Sequence, residues 1–138
     1  MDMGLFDIFG KKDEGDSDVR SPFSLRTSLS PVRMTAHKST PVDLHVSIKN
    51  RLGDAALTSI MIQVPKGLGL DQTGITRAKE IRLGYLNKGE EKEIVVPVWG
   101  HVMTEAGDYK IVIEIYCHYR TYAYIQNSVK KAVELRVV

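Results

Sequence analysis

Four histidines (His37, His45, His101 and His118), a lone cysteine (Cys117) and scattered acids are the side chains in this sequence that could bind a metal or move a proton. A metal needs converging ligands: His at i and i+2 on a strand or i and i+4 on a helix, or a Cys-x-x-Cys pair. None of these spacings occurs. Calcium held in loops asks for clustered aspartates, whereas Asp54, Asp71 and Asp108 stand far apart, and Glu90-Glu91 and Asp13-Glu14 read as turn and linker charges. There is no Gly-x-Ser-x-Gly nucleophile elbow, and Gly67-Leu68-Gly69 lacks the strand-to-helix setting of a phosphate loop. The expectation is therefore no catalytic residue, no metal and no cofactor. Cys117 continues the inward phase of its segment and is expected to be a small buried hydrophobe. His45 and His118 fall on the outward phase and are expected at the surface.

Recognition chemistry is better represented. Tyr116, Tyr119, Tyr122 and Tyr124 crowd together with Arg120 among them. Tyrosine and arginine dominate binding hot spots because they bring large contact area and a hydrogen bond at small entropic cost. The same rings would equally serve to steady a sheet by cross-strand packing. A second candidate is the start of the chain, where Leu5, Phe6, Ile8 and Phe9 would share one face of a helix, with Lys11 and Lys12 in its last turn. Such a segment suits docking to a partner or lying in a membrane interface; folding back on the domain is the plainer option. Gly4 is not at position two, so the segment is not a myristoylation signal.

Positioning these residues falls to strands. The segment 104–115, TEAGDYKIVIEI, joins a turn to a period-2 run in which Tyr109, Ile111, Ile113 and Ile115 point one way and Lys110, Val112 and Glu114 the other. Gly107-Asp108-Tyr109 ahead of a core strand has the layout of a tyrosine corner, whose hydroxyl reaches back to upstream backbone. Further strands are expected at 22–29, 32–37, 42–49, 57–64, 75–83, 93–99, 109–119, 122–125 and 129–138. Pro31 suits an edge or a strand switch, and Pro97 marks an edge or a bulge, since proline cannot donate to a ladder. Short strands at roughly ten-residue spacing indicate an all-β, immunoglobulin-like sandwich of seven to nine antiparallel strands. The expected organisation is an amphipathic segment at 1–12, a polar linker at 13–21 and the sandwich at 22–138.

Bulk properties agree with one domain. The 138 residues are 43% hydrophobic and 26% charged, enough to bury a core without staples. With 19 basic against 17 acidic side chains the charge is only +2, which disfavours a nucleic-acid binder. One cysteine permits no internal disulfide and suits a reducing compartment. No run approaches 18 apolar residues, and the N-terminus carries its lysines after its apolar residues, the reverse of a secretory signal. A cytoplasmic protein is expected, with peripheral membrane association through residues 3–12 as the alternative.

The order of VDLHVSIKN, IMIQVPKGLGL, LGYLNKGEEKEIVVPV and EAGDYKIVIEI resembles the CARDB-type immunoglobulin-like domains of archaea and bacteria, over residues 32–138. The resemblance implies a non-enzymatic binding or scaffolding module with an immunoglobulin-like fold, here in a single copy. A protein partner, with self-association among the options, is the expectation that follows.

Overall fold

Alternation in the sequence becomes pairing in the structure. A computed structural model describes residues 21–138, which form β1 (Phe23–Ser30), β2 (Arg33–Met34), β3 (Pro41–Asn50), β4 (Ala56–Gln63), β5 (Ala78–Leu86), β6 (Glu91–Trp99), β7 (Gly107–His118) and β8 (Ile125–Val137). A three-stranded sheet, β1-β3-β6, stacks on a five-stranded sheet, β2-β8-β7-β4-β5. The inward phases meet between them: Val42, Leu44, Val46 and Ile48 of β3 join Ile60 and Ile62 of β4 and Ile111, Ile113 and Ile115 of β7 in one buried cluster. Each such aliphatic side chain contributes roughly 1.5–3 kcal/mol by leaving water. The fold is an all-β immunoglobulin-like sandwich, and β7 lies at the middle of the larger sheet.

The punctuation residues act as their chemistry requires. Pro31 lies between β1 and β2, which belong to different sheets, so it marks a strand switch. Pro97 sits on β6, an edge strand, where a missing donor costs no ladder bond. The Tyr109 hydroxyl donates to the Glu105 carbonyl at 2.7 Å, closing the tyrosine corner. Its ring also lies against Gly67, where an added Cβ would come within 2.9 Å of Tyr109 Cε2. Asn50, buried at the end of β3, donates its amide to the carbonyls of Leu86 and Asp54 and accepts from the Leu52 N–H. It thereby ties together the turns on either side of β4 and β5.

Several expectations need correction. The strands are not all antiparallel, because β2 runs parallel to β8. The segment 32–37 yields only a two-residue strand: Ala36 N–H still donates to the Val138 carbonyl just past the end of β8, and His37 N–H then turns away to the carbonyl of Thr104. The strand expected at 75–83 is shifted to Ala78–Leu86. Leu70 N–H donates to Thr76 C=O and Asp71 caps the turn between them, which leaves Ile75 outside the ladder. Residues 122–124 form a turn rather than a strand, and β8 starts at Ile125, four residues before the aliphatic alternation that announced it. Register with β7 fixes those extra residues, of which Gln126, Asn127 and Ser128 are polar and carry no inward signal.

Candidate functional site: the outer face at the β7–β8 turn

Period-2 alternation sends alternate residues of the five-stranded sheet outward, and register places them in rows. Ile125 of β8, His118 of β7, Leu57 of β4 and Tyr85 of β5 form one row; Ser128, Tyr116, Ser59 and Arg82 form the next. At about 4.8 Å per strand each row is roughly 14 Å wide. Between Thr58 and Ser59 the register with β5 slips: Thr58 faces Gly84 and Ser59 faces Arg82, so Leu83 is the extra residue of a β-bulge. Gly84 takes a φ of 75°, in the left-handed region that glycine enters without cost.

The β7–β8 turn, residues 119–124, folds onto these rows. Tyr119 N–H donates to Tyr124 C=O at 2.9 Å and Thr121 N–H to Tyr119 C=O at 2.7 Å, with Arg120 at a φ of 68°. That geometry brings Tyr122 back across the sheet. Its hydroxyl accepts the Gly84 N–H at 3.0 Å, its ring meets the His118 ring edge-on at 5.0 Å, and the Arg82 guanidinium lies 4.5 Å from its centroid. Leu57, Ser59 and His118 in these rows are buried although all three belong to the outward phase, His118 directly against the Tyr122 ring. The expectation that His118 is a surface residue is therefore wrong. A loop outside the strand pattern covers it.

Ser59 Oγ and His118 Nε2 share a hydrogen bond of 2.7 Å. A hydroxyl beside an imidazole is the geometry of a nucleophile and its base. Here no third group orients the ring, since Nδ1 is buried without a hydrogen-bond partner among the described residues, and Ser59 is sealed from solvent. The pair is packing with a satisfied hydroxyl. Cys117, on the opposite phase, is buried as expected, and burial pushes its thiol up from the ordinary value. Its Sγ lies 3.9 Å from Gln126 Oε1. No grouping of three or more His, Cys, Asp or Glu side chains that could hold a metal lies among the described residues. A shallow depression of about 270 Å³ on the other sheet, lined by Arg26, Thr27, Ser28, His45, Ser47 and Glu93, is open and polar.

The expected recognition residues separate into two groups. Tyr116 and Tyr122 are half-buried, and burial, then the nearby Glu114, raises the Tyr116 phenol above its usual range. Tyr119, Arg120 and Tyr124 are exposed on the turn, the Arg120 guanidinium standing 5.1 Å from the Tyr119 ring centroid. Exposed Ile125 and Tyr85 flank them at the two ends of the first row. Sequence reasoning missed Tyr85, Arg82, Leu57 and Ser59, because only strand register brings them beside the tyrosines. Leu5, Phe6, Ile8, Phe9, Lys11 and Lys12 lie outside the described residues.

No family model matches this chain, and no curated protein matches it in sequence. Solved structures do resemble its fold. The self-complemented MyfA subunit of Myf fimbriae from Yersinia enterocolitica is 12% identical, with 83% of this chain and 98% of that one covered at a TM-score of 0.49. The bacterial hydrophobin BslA is 13% identical, covering 86% and 96% at 0.49. A PapD-like domain of human CEP192 is 10% identical, covering 100% and 98% at 0.47.

Proposed function

We propose that this chain is a non-catalytic protein-interaction module that binds a protein partner, or a second copy of itself, through the turn bearing Tyr119, Arg120 and Tyr124. The observation that carries this reading is the division of labour inside the turn. Tyr122 is pinned to the sheet by its hydroxyl and its ring, so the residues on either side of it stand outward on a braced support. Arg120 occupies a left-handed conformation that costs a non-glycine residue on the order of 1–2 kcal/mol, and its guanidinium lies over an exposed tyrosine. Pre-organised aromatic and guanidinium groups lose little entropy on binding. The motif resemblance to CARDB-type domains points the same way. The single buried thiol suits a cytoplasmic setting, which belongs to the proposal.

The test is Tyr119→Ala with Tyr124→Ala in the full chain. Sedimentation velocity should show weaker self-association, or affinity capture from the native host should lose proteins the wild type retains, while the melting temperature stays within a degree or so of wild type, as for exposed positions generally. Unchanged association and capture would overturn the reading.

A further inference from the structure

At the far end of the sandwich from the tyrosine turn, three large apolar side chains stand in solvent. Ile75, on the β4–β5 connection, is 80% exposed; Val102 and Met103, on the β6–β7 connection, are 66% and 74% exposed. The two connections are neighbours. Placing a Cβ on Gly74 would bring it within 3.2 Å of the His101 ring, so the residues next to Ile75 and Val102 touch.

These loops are held rigidly. Gly69 and Trp99 exchange backbone hydrogen bonds of 2.9 and 2.8 Å. Thr104 donates its hydroxyl to Gly67 C=O at 2.6 Å and accepts the His101 N–H at 2.9 Å. Asp71 accepts the Gly74 N–H and the Thr73 hydroxyl, and His37 Nδ1 lies 3.1 Å from Val102 C=O. A loop braced at so many points does not fold its apolar residues inward. They remain outward because the backbone fixes them there.

Charge surrounds the apolar tip. Lys66 and Arg77 flank it on the β4–β5 connection, and Lys38 on the β2–β3 connection lies beside the start of the β6–β7 connection, its backbone carbonyl 3.1 Å from where a Cβ on Gly100 would stand. All three are exposed and none forms an ion pair with the described residues. Of the acids on the β4–β5 and β6–β7 connections, Asp71 turns its carboxylate into its own loop, which leaves Glu105. Two copies meeting here would set these cations against one another. An anionic surface would instead pair with them and take up the apolar groups.

We propose that this tip is a membrane-contacting element. Ile75, Val102 and Met103 enter the headgroup layer of an anionic bilayer, while Lys38, Lys66 and Arg77 meet its negatively charged headgroups. The proposal goes beyond the protein-docking reading and uses none of its residues, so either can fail alone.

The experiment is flotation of the full chain with vesicles of phosphatidylcholine and of phosphatidylcholine with phosphatidylserine. Four variants are compared: Ile75→Ser/Val102→Ser/Met103→Ser, Lys38→Glu/Lys66→Glu, Tyr119→Ala/Tyr124→Ala, and Leu5→Ser/Phe6→Ser/Ile8→Ser/Phe9→Ser. Wild type should bind the phosphatidylserine vesicles and largely ignore the neutral ones. Each tip variant should lose about tenfold or more in binding, while the tyrosine and N-terminal variants keep a tip-dependent component. If serine at the three apolar positions impairs folding, the charge-reversal variant carries the test. Equal binding to neutral vesicles, no binding, undiminished binding by both tip variants, or loss of self-association instead of lipid binding would each overturn the proposal.

Discussion

The Gly84 N–H donates to the Tyr122 hydroxyl at 3.0 Å across 38 residues of sequence, and this bond joins a β-bulge on one edge strand to the turn that covers the sheet. Tyr122 is thus a clamp between the β7–β8 turn and β5, with Arg82 over its ring and His118 against its edge. Tyr122→Phe keeps the ring and removes the acceptor, and should lower unfolding free energy by about 1 kcal/mol. Tyr122→Ala also uncovers His118 and Ser59 and should lose about 2–3 kcal/mol, as for a partly buried aromatic ring. Urea denaturation reads both. Equal stability of all three proteins would show that the clamp bears no load.

Two glycines separate backbone strain from steric conflict. Gly84 has a φ of 75° and open space around its missing Cβ, so Gly84→Ala should cost about 1–2 kcal/mol from conformation alone. Gly67 has a φ of 104° and also faces the Tyr109 ring at 2.9 Å. Gly67→Ala should therefore be the more damaging of the two, and part of its excess should vanish in a Tyr109→Ala background. A chemical-denaturation cycle over the four proteins measures that coupling.

Ser59→Ala leaves buried His118 Nε2 without the partner it has at 2.7 Å, beside an Nδ1 that already lacks one. The expected loss is about 1–3 kcal/mol, the desolvation cost of an unmatched polar atom. Replacing both residues, as Ser59→Ala with His118→Leu, should recover part of it because no orphan remains. A double variant at least as unstable as the sum of the singles would contradict this account.

Asp71 supplies a pH dependence with a definite sign. Hydrogen bonds from Thr73 and Thr76, aided by the Gly74 N–H, hold its carboxyl at about 2, below the ordinary 3.8. A depressed folded-state value means the ionised form is favoured by folding, so its contribution is complete above about pH 4 and is lost as pH falls toward 2. Melting temperature should drop across that window, and less steeply in Asp71→Asn. Glu91, lowered by Ser47 and Arg26, and Asp108, lowered by Arg136, act in the same direction, so the variant keeps a residual slope. Parallel melting curves for Asp71→Asn and wild type would remove Asp71 from the cause.

The chain's own pattern was enough to fix two layers, their aliphatic contents and the tyrosine corner. Val42, Leu44, Val46 and Ile48 can share a face only in a strand, and Gly107-Asp108-Tyr109 places a phenol where the upstream carbonyl waits. Pro97 announced an edge or a bulge for the same local reason, a missing N–H being a property of the residue and not of its surroundings, and the fold chose the edge. What the pattern left open was the fate of the outward phase. Alternation says that Leu57, Ser59 and His118 leave the core; it is silent on whether water or another part of the chain meets them. Tertiary structure decided that: residues 119–124 turn onto the sheet, Tyr122 packs against His118, and all three are buried. The parallel pairing of β2 with β8 and the apolar tip at Ile75, Val102 and Met103 were decided in the same way. Each is a meeting of segments far apart in sequence, and local periodicity carries no term for what lies across a gap between loops.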